Sequence, residues 1–115
     1  MKIKGIVQEN TKNIEQFQNE VLRPILKQQH GLLLACFQSY LTQQKIDFAS
    51  LHAESKEKHI HTVLSKNTAF KNLNIGIVVG QFSEEEFNKY TKDSGEYNRR
   101  ILQMLKKRLK DTLIA

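Results

Sequence analysis

The stretch FQNEVLRPILKQQHGLLLACFQSYL, which begins at Phe17 and ends at Leu41, decides the fold class. Its apolar side chains recur at steps of three and four residues, so they share one face of an α-helix. With the residue that precedes them, they are Ile14, Phe17, Val21, Leu22, Ile25, Leu26, Leu33, Cys36, Phe37, Tyr40 and Leu41. The pattern predicts an amphipathic helix from Asn13 to about Gln44.

Pro24 interrupts this helical pattern. Proline lacks an N–H and its ring clashes with the carbonyl four residues earlier, while the preceding Arg23 is biased away from helical geometry. The apolar stripe keeps its phase across the proline. The sequence therefore favours one long helix kinked near Pro24, or two nearly collinear helices with Pro24 in the first turn of the second.

Length and composition extend the helical prediction to the whole chain. The 115 residues suffice for one core, and one proline and five glycines leave few chain breakers. We expect an all-α fold, a single compact bundle of four to six helices. Residues 1–12 are predicted to be an N-terminal tail, and residues 13–115 a single helical domain.

The middle of the chain predicts two more helices. A short, exposed helix is expected to end near Asn67. A mostly buried helix should follow over 68–79, with Phe70, Leu73 and Ile77 at positions i, i+3 and i+7. A strand over 75–79 is the alternative, because a short β-branched run has no periodicity that separates it from a buried helix.

The stretch GQFSEEEFNKY, which begins at Gly80, carries the clearest local signals. Gly80 suits the left-handed conformation that closes a helix. Ser83 and Glu86 have the spacing of a capping box, and Phe82 and Phe87 that of a hydrophobic staple. A new helix is therefore predicted to begin directly after Ser83.

Asp93 and Glu96 repeat the cap spacing and predict a last helix over 94–113. Residues 96–115 hold six basic and two acidic residues, a net charge of +4. The apolar face of this helix comprises Tyr97, Ile101, Met104, Leu105 and Leu109. The basic residues on the other side are Arg99, Arg100, Lys106, Lys107 and Lys110. They form a candidate polyanion or partner surface, with a solvated helix face as the simpler interpretation.

Arg108 departs from that arrangement, because a helical step of 100° places it on the apolar face near Tyr97. A charge there must be paired or must extend to water, since an unpaired buried ion is costly. The sequence predicts that the guanidinium either meets a carboxylate from another helix, with Glu20 or Glu15 as candidates, or extends its stem across the apolar face to reach water. The alternative is a helix that frays before Arg108.

The chain shows no set of catalytic, metal-binding or cofactor-binding residues. His52, His59 and His61 are close in sequence but diverge on a helix, and His30 is separated from Cys36 by six residues on an apolar stripe. Phosphate-binding, dinucleotide-binding and hydrolase motifs are absent. We therefore expect no catalytic residues, no metal and no cofactor, although the enzyme question stays open.

The class of protein is bounded further by cysteine usage and hydropathy. Cys36 is the single cysteine, which excludes an intrachain disulfide framework. The longest apolar run, residues 31–37, is far shorter than a membrane span, and MKIKGIVQEN lacks an apolar signal core. The sequence predicts a cytoplasmic protein with no membrane partner.

Three stretches, FQNEVLRPILKQQHGLLLACF, GIVVGQFSEEEFNKY and NRRILQMLKKRL, resemble a small bacterial family of uncharacterised all-helical proteins. The resemblance covers about residues 15–113 and depends on hydrophobic pattern plus Arg23-Pro24 and Gly80-Gln81-Phe82. Members are sometimes labelled glyoxalase, which implies a metal-dependent lactoylglutathione lyase. Glyoxalase I proteins present His and Glu ligands from strands, a pattern this sequence lacks, so no functional residue is carried over.

Three functions follow as hypotheses. The leading one is a small helical binding or interaction module without a catalytic set, whose ligand or partner is unknown, with a protein or a second copy of the chain as candidates. The first alternative is the metal-dependent glyoxalase-like enzyme. The second is binding of nucleic acid or another polyanion through the basic last helix.

Overall fold

The computed structural model describes residues 12–114, which form helices joined by short turns and contain no strand. The tail predicted over 1–12 lies outside the described residues except for Lys12, which is already helical. The α-helices are α1 (Arg23–Gln28), α2 (His30–Gln43), α3 (Ala53–Lys66), α4 (Thr68–Val79), α5 (Glu84–Thr91) and α6 (Ser94–Leu113). The predicted all-α bundle is confirmed for this part of the chain.

A distinct helical segment precedes α1. Residues 12–17 are α-helical and continue into a π-helical turn, Gln18–Leu22. The N–H of Arg23 donates to the carbonyl of Gln18, five residues earlier, and Pro24 lies in the first turn of α1. A π turn widens a helix locally, and here it directly precedes the residue that lacks an N–H. A bend at Pro24 stays a prediction.

The last helix, α6, is the centre of the bundle. It packs against the π turn, α1, α3, α4 and α5. Its buried residues are Tyr97, Ile101, Leu105 and Leu109, and they share one apolar core with Leu22, Leu26, Leu33, Phe37, Leu64 and Val78. Burial of such side chains stabilises the fold by about 1.5–3 kcal/mol each. The described residues form an elongated bundle of 53 × 29 × 24 Å.

Helix α4 has the predicted bounds, so the alternative of a strand over 75–79 is wrong. Its predicted row is confirmed only at Phe70, because Leu73 is 52% exposed and the other buried residues of the helix are Asn74 and Val78. Asn74 is tolerated there because its Nδ2 donates to the carbonyl of Phe70 at 2.7 Å. Its buried Oδ1 has no hydrogen-bond partner within residues 12–114.

The start of α5 confirms the predicted capping box. The N–H of Ser83 donates to Glu86 Oε1 at 2.8 Å, and the N–H of Glu86 donates to Ser83 Oγ at 3.1 Å. Phe82 and Phe87 both contact the ring of Tyr90, with centroids 5.6 and 5.9 Å away. The apolar contact at this helix end is therefore made through Tyr90.

Two turn predictions are corrected. Gly80 has φ −62° and ψ −14°, so it is not left-handed. A Cβ at this position would lie 3.0 Å from the carbonyl oxygen of Gly76, so close approach of the backbone explains the glycine better. Asp93 precedes α6 but makes no capping bond with its side chain, and the carboxylate of Glu96 binds arginines within α6, so the predicted second capping box is wrong.

Candidate functional site

The first turns of α6 carry two arginines that share one carboxylate. Arg99 donates to Glu96 through Nε and Nη2, both at 2.7 Å, and Arg100 Nε donates to the same carboxylate at 2.9 Å. Arg100 Nη1 also donates to Gln18 Oε1 in the π turn at 2.7 Å. Arg100 is therefore a contact between α6 and the N-terminal helical segment, and its side chain is only 18% exposed.

The pKa shifts of Glu96 and Arg99 agree with this geometry. Hydrogen bonds from Arg99 and Arg100 lower the pKa of Glu96 from 4.5 to about 2, because they stabilise the ionised carboxylate. The same contact with Glu96 raises the pKa of Arg99. Two of the predicted surface cations thus share one acid within their own helix.

Lys107 and Lys110 make surface ion pairs. Lys107 Nζ lies 3.4 Å from Asp111 Oδ2, and the side chains are 78% and 62% exposed. Lys110 Nζ lies 3.0 Å from Glu57 Oε1 on α3. Pairs as exposed as these contribute about 0–1 kcal/mol to stability.

Lys106 has a different environment from the other four predicted residues. Its Nζ donates to Ser65 Oγ at 2.9 Å and lies 3.3 Å from His61 Nδ1. Burial, followed by repulsion from Lys71, lowers its pKa. The five basic residues of the predicted surface thus have three kinds of environment. Arg99 and Arg100 share Glu96, Lys107 and Lys110 each pair with an exposed acid, and Lys106 contacts a hydroxyl and an imidazole of α3.

The predicted carboxylate partner of Arg108 is wrong. Its Nη1 lies 3.3 Å from His30 Nδ1, while Glu20 accepts a hydrogen bond from Gln16. The alternative of a frayed helix is also wrong, since α6 continues to Leu113. The imidazole acceptor lies near α6 because α1 and α2 bring His30 beside it, a tertiary contact that sequence spacing does not encode.

The histidine and cysteine residues form no metal cluster among residues 12–114. His59 contacts the ring of Phe48 at 6.3 Å, and its buried Nε2 has no partner within the described residues. Cys36 is half-buried against the apolar core.

A cleft of about 500 Å³ lies between the N-terminal helical segment and the junction of α5 and α6. It is lined by Asn13, Ile14, Gln16, Phe17, Glu20, Val21, Lys89, Lys92, Asp93 and Tyr97. Sequence reasoning missed it, because its two walls are far apart in the chain. One feature of the sequence could have indicated the cleft. In the first helical segment, apolar residues lie beside polar residues for which the sequence predicts no partner.

The ring of Tyr97, which belongs to α6, forms part of the cleft wall and packs against Phe17 of the N-terminal helical segment. Its centroid lies 4.7 Å from that of Phe17. Burial raises the pKa of Tyr97, and the nearby carboxylate of Asp93 raises it further. The phenol therefore stays protonated and can act as a hydrogen-bond donor in the cleft at neutral pH.

Comparison with known proteins gives no relative: no family model, curated protein or solved structure matches the chain. Within residues 12–114, every helix is too short or too polar to cross a bilayer.

Proposed function

We propose that this protein is a small non-enzymatic helical binding module of the bacterial cytoplasm, and that the cleft beside Tyr97 holds its ligand. The volume of about 500 Å³ carries the proposal, because small-molecule sites span roughly 300–1,000 Å³ and combine apolar walls with a few polar groups. The apolar wall here comprises Ile14, Phe17, Val21 and the ring of Tyr97.

The rim of the cleft favours a ligand with an apolar body and an anionic group. Lys89 and Lys92 are exposed, and neither is ion-paired within residues 12–114. The lining also holds two acids, Asp93 and Glu20, and Glu20 accepts hydrogen bonds from Gln16 at 3.3 and 3.4 Å, so Lys89 and Lys92 are the cations among the lining residues. The two lysines are therefore the rim charges best placed to meet an incoming anion.

The fluorescent dye 1-anilinonaphthalene-8-sulfonate tests this proposal, because it has an aromatic body and one anionic group. We expect saturable binding to one site on the folded chain. The double variant Lys89→Glu/Lys92→Glu should bind the dye about tenfold more weakly, a loss of about 1.4 kcal/mol. The matched control is Lys58→Glu/Lys66→Glu, which reverses the charge of two exposed lysines of α3 that lie outside the cleft.

Equal loss of dye binding in both double variants would contradict the proposal, since it would reflect net charge rather than the cleft. Binding only to partly unfolded protein, detected by loss of the near-ultraviolet dichroism of Tyr97 and its neighbours, would also contradict it. Stoichiometric zinc or nickel together with turnover of the methylglyoxal–glutathione adduct would instead support the glyoxalase-like alternative.

The proposal includes a bend of the first helical region near Pro24, since this region forms one wall of the cleft. The π turn and the missing N–H of Pro24 support it. Residual dipolar couplings of the two flanking segments would measure the angle. Parallel axes before and after the π turn would contradict the bend.

A further inference from the structure

Four polar side chains from three helices meet where α3, α4 and α6 pack together. They are His61 and Ser65 of α3, Lys71 of α4 and Lys106 of α6, and we name them the Lys106 cluster. None of them lines the cleft beside Tyr97. The cluster is therefore a second polar site, independent of the proposed ligand cleft.

Ser65 is the centre of the cluster. Its Oγ accepts from Lys106 Nζ at 2.9 Å and lies 3.5 Å from His61 Nε2. Its backbone carbonyl receives Lys71 Nζ at 3.5 Å. Two ammonium groups from different helices thus converge on one residue.

The two ammonium groups have no carboxylate partner in the part of the chain that the structure describes. Within residues 12–114, no Asp or Glu oxygen lies within 4 Å of the ammonium groups of Lys71 or Lys106. Both lysines and Ser65 are only partly exposed, and the repulsion between the two lysines contributes to the lowered pKa of Lys106. Two like charges held together in a partly desolvated place favour an anion beside them.

We propose that the Lys106 cluster binds a phosphate-type oxyanion. Each ammonium group has three donors, of which the contacts within the cluster use one or two, and the Ser65 hydroxyl supplies another. Lysine is a common phosphate ligand because it acts as a compact point charge. Lys107 and Lys110 provide the contrast, since each already has its own carboxylate.

The test is a titration with inorganic phosphate at constant ionic strength, which sodium chloride maintains. Binding is monitored by ¹H–¹⁵N spectra and by thermal unfolding. Phosphate should shift the signals of Ser65 and Lys106 and raise the unfolding temperature. In Lys106→Met and in Lys71→Met the affinity should fall about tenfold. Lys107→Met removes a cation from the same helix and should leave the affinity unchanged.

The source of the phosphate group is decided by two further titrations. A small phosphomonoester that binds at least as tightly as inorganic phosphate, with no binding of a short DNA duplex, identifies a metabolite site. If the duplex instead binds more tightly than the phosphomonoester, the ligand is a nucleic-acid backbone. The slope of log affinity against log salt concentration should then decrease in magnitude by about one in Lys106→Met. Equal effects of phosphate and chloride, or an unchanged affinity in both methionine variants, would overturn the proposal.

Discussion

Arg100 and Lys106 lie on the same helix, less than two turns apart, and their surroundings differ in one decisive respect. Arg100 meets the carboxylate of Glu96 and the amide of Gln18. Lys106 meets a hydroxyl and an imidazole, with a second lysine nearby. The first cation holds the bundle together, whereas the second adds a charge that no acid of residues 12–114 neutralises at contact distance.

The difference shows that a basic stripe on a helix does not by itself define a binding surface. All five predicted residues contribute equally to a net charge, yet three have carboxylate partners in their own helix and one on α3. Only Lys106 is without one among the described contacts. The presence or absence of a carboxylate partner, rather than the charge count, identifies where an external anion is favoured.

The largest effect should come from removing the arginine that joins α6 to the π turn. Arg100→Met loses two hydrogen bonds from a charged donor at an 18% exposed site, so we expect the free energy of unfolding to fall by about 1–2 kcal/mol. Urea denaturation measures the change. Lys107→Met, at a 78% exposed position, is the control and should change stability by less than about 0.5 kcal/mol.

Equal losses in these two variants would remove the distinction between a structural and a surface cation. A loss confined to Arg100→Met would sharpen it, because both substitutions place methionine on the same helix. Helix propensity is nearly identical for the three residue types and does not explain such a difference.

The next effect concerns the acid in the same group. Glu96→Gln should lower the free energy of unfolding at pH 7 by about 1 kcal/mol, less than the full pKa shift implies because the side chain is 27% exposed. Its pKa is about 2 in the folded chain and 4.5 ordinarily, so the stabilisation is present above pH 4.5 and is lost as pH falls through about 2.

The measurement for Glu96 is denaturation of both proteins across pH 7 to 2. The difference between wild type and Glu96→Gln should shrink over the acid window. Asp111→Asn, which alters an exposed surface pair, should show a small difference throughout. A constant gap for Glu96→Gln at all pH values would show that its role is steric rather than electrostatic.

Local signals predicted most of the fold. The bounds of α4 and α6 and the capping box of Ser83 and Glu86 depend on residues a few positions apart, and the structure reproduces them. The buried face of α4 was predicted correctly only at Phe70. Apolar residues occur all around this helix, so several of its faces have the spacing of a buried face. Which row meets the core is decided by α2, α3 and α6, not by α4 itself.

The sites were less predictable, for a related physical reason. The pairing of Arg100 with Glu96 follows from i, i+4 spacing, but its bond to Gln18 joins residues 82 positions apart. The meeting of Lys71 and Lys106, like the cleft between the first helix and α5, exists only after the bundle has formed. Sequence spacing identified the charges but not their neighbours.

A smaller effect is expected when the cation of the Lys106 cluster is removed. In Lys106→Met the lost hydrogen bond to Ser65 is offset by relief of burial and of repulsion from Lys71, so stability should stay within about 0.5 kcal/mol of wild type. Chemical denaturation without phosphate measures this. A loss as large as that of Arg100→Met would mean that Lys106 is a structural cation as well.

The smallest effect is the alkaline response of Lys106. Because burial and Lys71 hold its folded-state pKa below 10.5, its protonated form destabilises the folded chain at neutral pH, and this penalty is relieved as pH rises from that lowered pKa towards 10.5. Wild type should therefore gain stability relative to Lys106→Met over this window, whereas it should show no such gain relative to Lys107→Met. The titration of Tyr97 is common to all three proteins and cancels in the differences. Bound phosphate favours the protonated lysine, so saturating phosphate should reduce the alkaline gain. A gain that is absent, or that phosphate leaves unchanged, would separate the lowered basicity of Lys106 from anion binding.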